Sequence, residues 1–152
     1  MLNFEAAEFV AASPASLLNV LTDTSNFEVW DSGMVHRDGD VRDGSQVTVS
    51  SRDSNHRYTF TVRLSPGASM TWSHVQALGI FHATRAWTLT PADGGTHLRV
   101  TDQFRGPLAE QLRAGVPLAG STSELEGYLR AVKTRAELLQ RIPEAHFDSG
   151  TA

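Results

Sequence analysis

STSELEGYLRAVKTRAELLQRI, residues Ser121 to Ile142, carries Leu125, Leu129, Val132, Ala136 and Leu139 at alternating spacings of four and three, the period of one α-helical stripe. Glu126, Arg130, Lys133, Arg135 and Glu137 fall mostly off that stripe. Ser121 followed three residues later by Glu124 is a capping-box pattern, Gly120 breaks any earlier helix, and Pro143 stops this one. A helix of this length spans roughly 33 Å and needs a broad apolar partner. Within the stripe, Val132, Ala136 and Leu139 are expected to pack as core, with Leu125, Tyr128 and Leu129 nearer a cavity.

The partner is legible upstream, where the period changes from helical to alternating. Residues Leu2 to Ala12 read as extended. Ser13-Pro14 then places an N-cap before a proline at the first helical position, opening a short helix through Leu17, Leu18 and Leu21. Asp23 to Asn26 caps a second short turn through Phe27, Val29 and Trp30, and these two pieces close one side of a core. Val35 marks a short strand, and Val41 falls between the turns Asp38-Gly39-Asp40 and Asp43-Gly44. Val47 and Val49 alternate with polar residues, as do Tyr58, Phe60, Val62 and Leu64. If Ser65 pairs with Ser69 around Pro66-Gly67-Ala68, Leu64 faces Met70, Val62 faces Trp72 and Phe60 faces His74; a slip of one residue would exchange the faces. Strands Ile80–Thr90 and Thr96–Arg105 flank Pro91-Ala92-Asp93-Gly94-Gly95, a strong turn signal. Pairing Leu89 with Leu98 sets Trp87 opposite Val100, Arg85 opposite Asp102 and Ala83 opposite Phe104. Arg85 and Asp102 thus fall on the apolar face. Leu108 and Leu112 suit a short helix before the break at Gly115-Val116-Pro117.

The totals bound what the chain does. One core of ordinary size fits 152 residues with 40% hydrophobic content, so a single domain over residues 1–142 is expected, with 143–152 a mobile tail. A net charge of −4 with no Lys/Arg cluster gives no footprint for nucleic acid. The absence of cysteine removes disulfides, thiolate metal sites and cysteine nucleophiles, and fits a cytoplasmic location. No stretch is apolar enough to span a bilayer, and Glu5 and Glu8 argue against an export signal. His36, His56, His82, His97 and His146 lack metal-ligand spacing, so neither a metal nor another cofactor is expected.

Ala12-Ser13-Pro14-Ala15, the segment Leu21-Thr22-Asp23 through Trp30, the hairpin TRAWTLTPADGGTHLRVTDQFRGPL and LEGYLRAVKTRAE together resemble the START/polyketide-cyclase superfamily, also called SRPBCC, over residues 2 to 142. Leu18 departs from the Trp that many relatives carry after the proline, the Gly/Pro-interrupted lead into the last helix is a second departure, and both bear on the shape expected of the cavity mouth. The resemblance implies the helix-grip fold, an α+β arrangement in which a curved antiparallel sheet of about six or seven strands wraps a long C-terminal helix, with two short helices after the first strand. It further implies a cavity between sheet and helix for a small hydrophobic molecule of lipid, polyketide or aromatic type.

Charges on an inward face must pair or meet a polar ligand. Arg85 with Asp102 therefore reads either as a structural ion pair or as a guanidinium that orients a carboxylate or enolate oxygen while Asp102 holds it. His74 shares a face with Met70 and Trp72 and is a candidate acid or base; Tyr58 is a candidate oxyanion donor. Trp30, Phe60, Met70, Trp72, Phe81, Trp87, Phe104, Leu125, Tyr128 and Leu129, with Arg85 and Asp102, form the expected ligand-binding set. Three functions remain open at this point. They are a hydrophobic-ligand binder, which is the leading reading, a metal-free cyclase or dehydratase using Arg85, Asp102, His74 or Tyr58, and a co-chaperone-type interaction module. A monomer or homodimer is expected.

Overall fold

Two eleven-residue strands dominate the molecule, because inward positions of both alternate strictly with outward polar ones. A computed structural model describes residues 1–141; Ile142 and the predicted tail 143–152 lie outside the described residues. The chain runs β1 (Leu2–Val10), α1 (Pro14–Thr22), a 3-10 turn (Thr24–Asn26), β2 (Met34–Gly39), β3 (Gln46–Ser51), β4 (Tyr58–Ser65), β5 (Ser69–Val75), β6 (His82–Ala92), β7 (Gly95–Arg105), α2 (Ala109–Leu112) and α3 (Thr122–Arg141). All strands pair antiparallel in one seven-stranded open sheet of order β1-β7-β6-β5-β4-β3-β2. The first two strands therefore lie on opposite edges, and α1 with the 3-10 turn bridges them.

The predicted registers are those observed. Ser65 pairs with Ser69, Leu64 with Met70 and Val62 with Trp72. In the longer hairpin Leu89 pairs with Leu98, Trp87 with Val100, Arg85 with Asp102 and Ala83 with Phe104. The connection is tighter than expected. Pairing continues through Pro91–Thr96 and Ala92–Gly95, leaving Asp93-Gly94 as the turn, with Gly94 at φ +78°. Gly95 has a different reason to be glycine, since a Cβ there would stand 2.1 Å from the Val10 carbonyl oxygen of the neighbouring strand. At the other end β6 begins at His82, because Ala77–Gly79 forms a 3-10 turn with Leu78 at φ 60°.

Ser13 caps α1 as its position predicts, its Oγ accepting from the Ser16 amide at 3.2 Å. Ser121 does the same for α3 through the Glu124 amide, and the Glu124 carboxylate accepts from the Gly120 amide at 2.6 Å, one residue earlier than a standard capping box. Leu125, Leu129, Val132 and Ala136 are buried against the sheet, and each such side chain contributes about 1.5–3 kcal/mol where large. Leu139 is not core: it is 39% exposed. It stands two heptads beyond Leu125, and a straight helix drifts about 20° per heptad away from a fixed seam.

The helix is fastened to the end of β1 by polar contacts. Lys133 Nζ donates to the Phe9 carbonyl at 2.7 Å and to Glu137 Oε2 at 2.8 Å, and Glu137 Oε2 also accepts from the Ala11 amide at 2.8 Å. Leu17, Leu21 and Phe27 are buried, while Trp30 is half-buried over the far side of α3. Among the described residues no helix is long and apolar enough to cross a membrane.

Candidate functional site

Inward parity places Arg85 and Asp102 side by side on β6 and β7, with side chains 2% and 0% exposed. Arg85 Nε donates to Asp102 Oδ1 at 2.6 Å, and Nη2 to Oδ2 at 2.7 Å, a bidentate pair. Burial alone would lower the guanidinium pKa; the Asp102 carboxylate outweighs it, so Arg85 is held charged. Asp102 Oδ2 accepts a further bond from the Ala119 amide at 2.9 Å, which ties the loop before α3 to the sheet. From the helix side, the Tyr128 ring centre lies 4.3 Å from the Arg85 guanidinium carbon. Trp87 Nε1 donates to Tyr128 Oη at 3.0 Å, so the phenol oxygen accepts and its own proton remains to be given. Burial raises the Tyr128 pKa, only partly opposed by the Arg85 charge, which keeps that proton in place.

Above this floor opens a cleft of about 520 Å³. Arg85 and Tyr128 border it; Ala114–Ala119 forms one wall, Asp31–Gly33 with Ser51, Asp53 and Ser54 another, and Glu124 with Gly127 the helix side. Arg85 has five N–H groups and spends two on Asp102, so the guanidinium brings further donors toward the cleft. The mouth is braced by Arg52, whose Nη2 donates to the Trp30 carbonyl at 2.6 Å and whose Nη1 stands 3.9 Å from Asp31. The Ser32 hydroxyl donates to the Phe27 carbonyl and accepts from the Met34 amide, shaping the same rim.

The expected site residues divide sharply. Arg85 and Tyr128 border the cleft, with Asp102 directly behind. Trp30 packs 6.3 Å from the Tyr128 ring on the other side and borders outer grooves instead. Phe60, Met70, Trp72, Phe81, Trp87, Phe104, Leu125 and Leu129 are each at most 1% exposed and pack beyond the cleft as a tight interior. Aromatic contacts join much of it: Trp72 lies 5.6 Å from Phe60 and 5.4 Å from Trp87.

Tyr58 stands between cleft and interior. Its hydroxyl lies so close to Gly115 of the cleft wall that a Cβ there would be 2.6 Å away, and its ring meets His74 edge-on at 5.3 Å. Burial raises the Tyr58 pKa, so the phenol stays neutral. His74 Nδ1 lies 3.0 Å from the Thr59 carbonyl, which only accepts, so Nδ1 carries the proton. The cleft wall from Ala114 to Ala119 shows in the sequence as the Gly/Pro interruption before the helix, a departure from relatives that bears on the cavity mouth, without any single residue marked as functional.

The family model described as polyketide cyclase / dehydrase and lipid transport matches residues 1–137. Among solved structures, protein MLL2253 of Mesorhizobium loti is similar with TM-score 0.69 at 20% identity, covering 93% of this chain and 99% of that one. Aha1 of Colwellia psychrerythraea, described as a dimer, gives TM-score 0.64 at 18% identity over 90% of this chain and 97% of its own. The di-domain ARO/CYC BexL of the BE-7585A biosynthetic pathway gives TM-score 0.68 at 16% identity over 93% of this chain, which spans 48% of BexL. At these identities the likenesses concern the fold. No curated protein matches the chain by sequence.

Proposed function

The chain belongs to the polyketide cyclase/dehydrase and lipid transport family, and from that premise we propose that it binds a small, largely apolar molecule through one oxygen anchored at the cleft floor. The observation that carries this reading is a charged guanidinium, 2% exposed, that borders the cleft with donors beyond those given to Asp102. Tyr128 adds a neutral hydroxyl beside it. Two convergent donors in a desolvated site suit a carbonyl, phenolate or carboxylate oxygen. The mixed lining above them suits a ligand whose outer part is also oxygenated, and an aromatic polyketide type has both properties.

The same two donors would equally steady an enolate, which is the enzymatic version of the reading. It requires a base, and His74 behind Tyr58 is the candidate; Asp102 is committed to Arg85 and Ala119.

Titration with alizarin, followed by tryptophan quenching, tests the binding reading. Saturable binding is expected for the wild type, weakened about tenfold in Tyr128→Phe and in Arg85→Lys, which keeps the charge but loses the fork. Unchanged affinity in both variants, or no saturable binding at all, would overturn it. Turnover of a linear poly-β-ketone that disappears in a folded His74→Phe variant would favour the enzyme.

A further inference from the structure

Two buried polar atoms of β5 have no hydrogen-bond partner among the described residues, Trp72 Nε1 and His74 Nε2. They differ in character. The indole N–H can only donate, and the tautomer in which His74 Nδ1 donates to the Thr59 carbonyl leaves a lone pair on Nε2. Native interiors rarely leave such atoms empty-handed, and each one that does needs an explanation.

Their placement supplies one. Trp72 is the direct partner of Arg85 across β5 and β6, and both point inward. His74 is two residues along the same face, about 7 Å further. The unsatisfied donor and acceptor therefore continue the row that Arg85 begins, and Tyr58 abuts both Gly115 of the cleft wall and His74.

We propose that Trp72 Nε1 and His74 Nε2 are the inner recognition edge of the ligand site, reached when Tyr58 swings aside, and that they select a fused-ring aromatic carrying an acceptor oxygen and a neighbouring hydroxyl on its inner rim. The proposal rests on the ligand-binding reading above. Trp72 donates to the oxygen and His74 accepts from the hydroxyl, while Arg85, which adjoins Trp72 in the row, and Tyr128 meet the ligand on the cleft side. A purely hydrocarbon ligand leaves both atoms as unsatisfied as they are now, so the pair discriminates against it.

Alizarin, with adjacent hydroxyls, and anthraquinone, with carbonyl oxygens alone, distinguish the roles. His74→Phe is expected to weaken alizarin about five- to tenfold, leave anthraquinone unchanged and melt no lower than the wild type, since it removes an unsatisfied atom and the exposed Thr59 carbonyl passes to water. Trp72→Phe is expected to weaken both probes. Wild-type alizarin affinity in His74→Phe, or a lower melting temperature for that variant, overturns the proposal. If Tyr128→Phe weakens alizarin while His74→Phe and Trp72→Phe do not, the outer anchor stands and the inner edge falls. If the wild type binds neither probe, the ligand-binding reading falls and takes this inference with it.

Discussion

The Arg85 guanidinium lies 4.3 Å from the centre of the Tyr128 ring, so the charge at the cleft floor is gripped by the helix as well as by Asp102 on the sheet. Three elements meet at one side chain. Position, more than added stability, is what such an arrangement supplies, because two desolvated charges roughly offset their own attraction.

It follows that Arg85→Met alone should destabilise the domain by about 3–5 kcal/mol, since it strands the Asp102 carboxylate away from water. The double variant Arg85→Met with Asp102→Leu should recover most of that loss while abolishing the floor. Urea unfolding of the wild type, the single and the double variant measures both. A double variant as unstable as the single would show that the pair itself supplies the stability.

A second expectation concerns acid. The Ala11 amide, then Lys133, hold the Glu137 carboxyl below the usual carboxylate range. A carboxyl with a lowered folded pKa contributes stability above its unfolded value, about 4.3, and loses it as pH falls through the lowered folded value. Asp23, held low by Ser25 and Asn26, acts in the same direction. Glu137→Gln should therefore cost about 1 kcal/mol at pH near 7 and almost nothing near pH 3, read from urea midpoints at the two values. An equal deficit at both would remove the titration from the account.

The third concerns the partition between cleft and interior. Gly115→Ala should lower the melting temperature, because its new methyl would stand 2.6 Å from the Tyr58 hydroxyl. Combining it with Tyr58→Phe, which deletes that oxygen, should restore most of the loss. Additive losses in the double variant would place the strain elsewhere.

How much of this was visible in the residues themselves depends on the range of the interaction. Alternation through residues 58–75 and 82–105 sufficed for the strands, and one parity argument about Pro66-Gly67-Ala68 delivered the register that faces Arg85 with Asp102. Leu139 escaped because a spacing rule ignores the slow rotation of a real helix, and the hairpin tip because pairing outlasted a proline at Pro91. The contacts of the cleft wall were hidden for a different reason. Ala119 matters through its backbone amide on Asp102, and Gly115 through the hydroxyl of Tyr58 on the opposite side of the molecule's chain order; neither contact leaves a side-chain signature. The large aromatic set was readable as inward-facing, but its tight packing is a property of all the side chains at once.

The strand order also governs when this molecule comes into being. Leu2 pairs with Phe104, so β1 takes its place on the sheet only against β7, a strand about one hundred residues later in sequence. Pairings this remote in sequence are slow to form. Arg85 and Asp102 belong to one hairpin, whereas Ala119 and Tyr128 reach them from later in the chain. The cleft thus draws on residues from Asp31 to Tyr128, and its floor is complete only with α3 in place.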